Sequence, residues 1–84
     1  MKEVFHTIYS PSHGTVEKVF IQPESYVYEW EKLFLIRSHE QKEKEVCIGV
    51  SGTVSSVEIS VGQEGSPDTP LAIIKDDLQI TGSD

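Results

Sequence analysis

The sequence predicts an all-β domain, a flattened β-barrel or sandwich built from two interlocked four-stranded halves that repeat each other about a quasi-two-fold. Three observations carry that prediction. Sliding the chain along itself by 38 positions pairs Gly14-Thr15-Val16 with Gly52-Thr53-Val54, Val19 with Val57, Ile21 with Ile59 and Leu33 with Leu71, without a gap. At the same offset Leu35-Ile36-Arg37 meets Ile73-Ile74-Lys75, so the apolar register and a closing positive charge recur together. Apolar residues come in short runs or alternate, and clusters of Gly, Pro, Ser and Asp separate them, as strands and turns require. No stretch keeps apolar residues at helical spacing over three turns.

A chain of 84 residues has room for one core and buries only about 60% of its unfolded surface. Residues 1–76 are therefore read as one domain with halves at about 4–37 and 42–75, and 77–84 as a flexible polar tail. The charged octet Ser38 to Glu45 lies at the junction of the halves. Fourteen acidic against seven basic residues give a net charge of -7, which opposes a nucleic-acid partner and self-association alike, so a monomer is expected. Cys47, the single cysteine, cannot close an intramolecular disulfide and reads as a small buried or half-buried thiol. The N-terminal residues lack the apolar run of a signal peptide, and no segment reaches membrane-span length; a soluble cytoplasmic protein with no membrane partner is the expectation.

In chain order, Val4 to Tyr9 is rich in β-branched and aromatic residues and ends in the turn formers Ser10-Pro11-Ser12-His13-Gly14, so it reads as a strand and its stop. Thr15 to Ile21 is a second strand, but the step from Val16 to Val19 breaks period two. A bulge near Glu17-Lys18 restores the register, and Val54-Ser55-Ser56-Val57 repeats the irregularity. After the turn Pro23-Glu24-Ser25, the segment Tyr26-Val27-Tyr28-Glu29-Trp30 alternates as a strand, and Leu33 to Ile36 is an apolar run of strand length. Val46 to Val50 and Gly52 to Ile59 begin the second copy. Gly62, Gly65, Pro67, Asp68 and Pro70 form its loop, and Leu71 to Lys75 its last strand.

The set Gly14-Thr15-Val16, Val50-Ser51-Gly52-Thr53-Val54 and Pro70-Leu71-Ala72-Ile73-Ile74, with the internal repeat, resembles the biotinyl/lipoyl-carrier domain family from about Tyr9 to Lys75. The resemblance implies the barrel-sandwich hybrid fold of that family. It also implies an attachment lysine at the tip of the tight hairpin joining the halves, where the amine forms an amide with biotin or lipoate. Counting back from Val50-Ser51-Gly52 by the family's spacing lands on Gln41, and counting forward from Val27 and Leu33 lands on Glu40, so this hairpin is longer by one residue. Neither side chain offers a nucleophilic amine. The methionines that commonly flank a biotinyl lysine are absent, and Glu24 and Trp30 occupy places the family usually gives to glycine.

The resemblance thus implies a non-enzymatic interaction or accessory module without cofactor, related to biotin carboxyl carrier proteins, with a protein partner such as a carboxylase or acyl-transfer complex. The alternative is a swinging-arm carrier of biotin or lipoate modified at Lys42, the nearest amine to the tip. Against it, Lys42 and Lys44 alternate with Glu43 and Glu45 as a solvated hairpin would. His6, His13 and His39 lack the short ligand spacing of a zinc site, and no Ser-His-acid or paired-carboxylate set emerges, so neither metal nor catalytic residues are expected. Strict alternation puts Tyr26, Tyr28 and Trp30 opposite Val27, and exposed aromatics in a row suit an interface. A bent strand would instead fold Trp30 over the sandwich end as a core plug, the reading favoured for Trp30, with Tyr26 and Tyr28 left at the surface.

Overall fold

The computed structural model describes residues 3–77. Eight strands follow one another: β1 (Phe5–Tyr9), β2 (Gly14–Val19), β3 (Tyr26–Val27), β4 (Lys32–Ser38), β5 (Glu43–Cys47), β6 (Gly52–Val57), β7 (Glu64–Gly65) and β8 (Pro70–Asp76). Adding 38 to each bound of β1–β4 returns the bounds of β5–β8, so the sequence repeat is a structural repeat residue for residue. No helix occurs among the described residues.

The strands form two antiparallel four-stranded sheets, in the orders β1-β8-β6-β3 and β5-β4-β2-β7. Each sheet thus takes two strands from each half. No ladder joins the sheets among the described residues, so the architecture is two open sheets rather than a closed barrel. Closure would need partners for the sheet edges, and two of the edge strands, β3 and β7, are two residues long.

Alternation fixes which residues turn inward. Val16, Leu33 and Ile36 and their counterparts Val54, Leu71 and Ile74 are almost wholly buried, and Phe34 and Ala72 share another repeat position at 0% exposure. The expected irregularity is present in both copies, as register shifts between Val16 and Lys18 against β4 and between Val54 and Ser56 against β8. The extra residue lets Val16 and Val19, although odd in spacing, both face the core side, Val19 half-buried.

The halves are bonded through reciprocal backbone contacts. Glu24 N–H donates to the Val54 carbonyl and Gly62 N–H to the Val16 carbonyl, both at 2.8 Å. Glu24 and Gly62 are repeat equivalents, and both are left-handed, with φ of 74° and 94°. Gly14 and Gly52 are equivalent as well. A Cβ on either would run into a facing carbonyl oxygen, that of Arg37 for Gly14 and that of Lys75 for Gly52.

Several expectations require correction. The strand expected over Tyr26 to Trp30 ends at Val27, because only Tyr26 and Val27 find partners, Thr53 and Gly52. The Glu31 carboxylate then accepts the Tyr28 N–H at 2.8 Å and Glu31 N–H bonds the Tyr28 carbonyl at 3.0 Å, closing a turn in place of a strand. Strand β5 begins at Glu43 and not at Val46, so part of the charged octet is strand. Cys47 is exposed, since Val46 takes the inward position and its neighbour must face out. Beyond Asp77, the tail expected over 77–84 lies outside the described residues. Among the described residues no helix is long and apolar enough to cross a membrane.

Candidate functional site: the hairpin between β4 and β5

The hairpin joins the two copies of the repeat, and its geometry follows from a short list of bonds. Gln41 N–H donates to the Ser38 carbonyl at 2.9 Å and Ser38 N–H to the Lys42 carbonyl at 2.8 Å. His39, Glu40 and Gln41 are therefore a three-residue loop, and Gln41 takes the left-handed conformation, φ 66°, that ends such a loop. The tip residues Glu40 and Gln41, to which the two counts lead, are exposed. Lys42 is exposed too, but its backbone has already rejoined the ladder behind the tip.

The loop is held from beneath. Ser38 is 5% exposed, and its hydroxyl accepts the N–H groups of Glu40 and Lys42, both at 3.3 Å. Arg37 donates Nε to Glu17 at 2.6 Å, Nη2 to Glu43 at 2.9 Å and Nη1 to the Gln41 carbonyl at 3.3 Å. One guanidinium thus ties β2, β5 and the loop, a fork geometry that lysine could not reproduce. The hydrogen bond from Arg37 holds the Glu17 carboxyl below the usual carboxylate range, and the bond to Glu17 raises the Arg37 guanidinium in turn. Arg37 was legible in the sequence only as the charge that closes β4; its register opposite Glu43 was the available signal.

Beside the loop lies a cleft of about 320 Å³ lined by Ser12, His13, Ser38, His39, Glu40 and Lys44. It brings the turn after β1 against the hairpin, a long-range meeting that no spacing announces. The His13 and His39 rings are 6.1 Å apart, His39 Nε2 lies 3.6 Å from Glu64, and the buried Ser12 hydroxyl has no partner among the described residues. No three His, Cys, Asp or Glu side chains among the described residues are grouped to hold a metal. Lys42 and Lys44 make no ion pair among the described residues, whereas Lys32 pairs with Glu45 at 3.1 Å.

The aromatic row lies at the other end of β4, roughly 20 Å from the hairpin by strand rise. Tyr26, Tyr28 and Trp30 are 42%, 67% and 69% exposed. Tyr26 and Tyr28 meet edge to face at 5.0 Å. Tyr26 Oη donates to Asp77 at 2.6 Å, and that bond raises the phenol above its ordinary pKa. Trp30 is not a core plug. Its ring lies over Gly49, its main-chain N–H donates to the Ile48 carbonyl at 2.7 Å, and its φ of 67° is exceptional for so bulky a residue. The chain matches no protein-family profile and no curated protein.

Proposed function

We propose that this chain is a domain of biotinyl/lipoyl-carrier type, a barrel-sandwich hybrid, that lacks the attachment lysine and serves as a non-enzymatic interaction or accessory module in the cytoplasm. One observation carries the proposal: the loop joining the two repeats presents His39, Glu40 and Gln41, and no amine, at the place where such a carrier presents its lysine. The two-sheet architecture with its repeat of 38 residues supports the carrier-type reading, as do the left-handed Glu24 and Trp30 at places usually held by glycine. The partner is a protein, of the carboxylase or acyl-transfer kind, and Tyr26, Tyr28 and Trp30 supply the exposed aromatic area that anchors such contacts. Intact-mass measurement on protein from its own host should return the unmodified chain; a biotin or lipoate adduct sinks the proposal.

A second reading has one observation in its favour. Lys42 is exposed, makes no ion pair among the described residues, and stands one residue past the left-handed Gln41, within reach of a modifying ligase. In that case the domain is a swinging-arm carrier of biotin or lipoate. Co-expression with biotin and lipoate ligases should then yield an adduct that Lys42→Ala removes, and an unmodified chain discards this alternative.

A further inference from the structure

We propose that the outer edge of β1 pairs with β1 of a second copy, so that two of these domains share one continuous eight-stranded sheet. The open sheet edges are unlike each other. β3 and β7 are two residues long, and β5 carries Glu43, Lys44 and Glu45; short length and charge are the means by which proteins blunt an edge. β1, the repeat equivalent of β5, is Phe5-His6-Thr7-Ile8-Tyr9, with no Asp, Glu, Lys or Pro. Among the described residues nothing pairs with its outer side.

Its main chain is also set for self-pairing. The Val4 carbonyl accepts the Asp76 N–H at 2.8 Å across the ladder to β8, so by antiparallel alternation His6 and Ile8 turn their backbone groups to β8 and Phe5, Thr7 and Tyr9 turn theirs outward. A two-fold axis at Thr7 places Thr7 opposite Thr7 and Phe5 opposite Tyr9 of the other copy, aligning about six outward hydrogen-bonding sites. Phe5 and Tyr9 are each 50% exposed, and cross-strand aromatic pairs of this kind are among the favourable ones.

The self-complementary register about Thr7 selects a second copy as the occupant, and charge does not oppose it at this edge. The chain carries -7, so most of its surface repels its own kind, yet at this edge no like charges are opposed, His6 being engaged with Asp76 at 2.7 Å. The four half-exposed rings would bury roughly 400 Å². With the strand backbones the contact stays below the ~1,200 Å² of a standard interface, so the pair is a weak one, to be sought at about 10 µM to 1 mM chain.

Sedimentation equilibrium of the whole chain across that range tests it, with amide shifts followed against concentration. Thr7→Pro removes an N–H that β8 does not use, which an edge strand tolerates. Thr7→Lys sets two ammonium groups against each other across the axis. Both variants should keep the far-UV spectrum and weaken association at least about tenfold, and the wild-type shifts should concentrate at Phe5, Thr7 and Tyr9. A wild type that stays monomeric to about 1 mM, a dimer that survives both variants, or shifts centred on Tyr26, Tyr28 and Trp30 overturns the proposal. Should the variants not fold, the wild-type shift map decides alone. None of these outcomes depends on whether the hairpin carries a cofactor.

Discussion

The two copies of the repeat share every strand boundary yet differ where a copy meets solvent or fills the core. At the turn before the two-residue strand, the first copy has Glu24 and the second Gly62, in the same left-handed backbone. In the core, Phe34 answers Ala72. At the end of the last strand, Arg37 straps the hairpin through Glu17 and Glu43, whereas Lys75 makes a single exposed pair with Glu3 at 3.0 Å. Even the bridge between loop and short strand recurs in altered chemistry: His39 faces Glu64 at 3.6 Å, and Asp77 accepts from Tyr26 at 2.6 Å. The backbone pairing and the inward aliphatic positions therefore define the unit, and the side chains outside that set were free to diverge towards whatever each end does.

The core offers the harshest way to break the equivalence. Phe34→Ala should cost about 3–5 kcal/mol in urea unfolding, enough to unfold much of a domain this small. Ala72→Phe should cost about 1–3 kcal/mol by overpacking. If the two positions fill one shared core, the double exchange recovers part of the loss, whereas simple addition of the two penalties would mean that each copy packs its own half.

The paired glycines come next. Gly14→Ala and Gly52→Ala each force a Cβ towards a facing main-chain carbonyl, and each should cost about 2 kcal/mol or more, alike in the two copies. A clear inequality would show that one sheet yields more readily than the other.

Smaller effects sharpen the comparison at the turns. No atom lies within 4 Å of a Cβ built on Gly62, so Gly62→Ala isolates the left-handed strain at about 1 kcal/mol. Glu24→Gly should move the opposite way by up to about 1 kcal/mol, the relieved strain exceeding the entropy that glycine adds to the unfolded chain. Trp30→Gly also relieves a left-handed residue and removes a ring that is largely solvated. It should leave stability nearly unchanged while lowering affinity for any partner captured through the aromatic row.

The smallest effect is in pH dependence. The folded-state pKa of Glu17 is depressed by Arg37, so its contribution is present above the unfolded carboxylate range and is lost as the pH falls through the folded value. Arg37→Met should flatten the acid limb of a stability–pH curve more than Lys75→Met does. Equal flattening would deny the hairpin strap any special place.

Much of the fold was legible because its determinants are local or periodic. The step from Val16 to Val19 announced a bulge, and its echo at Val54 to Val57 announced the repeat, before any contact was known. The charged junction between the copies was legible as a turn in the same way, and the structure closes it as the loop His39 to Gln41, with Gln41 left-handed. What escaped was decided by partners distant in sequence. β3 stops at Val27 because its pairing with β6 ends at Gly52. Trp30 faces solvent because a turn closed by Glu31 redirects the chain. The cleft exists because the turn containing Ser12 and His13 arrives beside the hairpin, and nothing in either segment encodes the meeting.

Because β3 of the first copy lies in the sheet of β6 and β8, and β7 of the second lies beside β2 and β4, neither copy can complete a sheet unaided. The loop at 39–41 is then a tether more than a structural member, and it acts by holding two incomplete pieces at an effective concentration in the millimolar range. Cleaving the chain at Glu40 should leave two peptides that are unfolded apart and recover the native spectrum when mixed, in the manner of complementing fragments. A single 38-residue unit given to itself should assemble as an obligate pair, a symmetric ancestor in miniature of the covalent molecule.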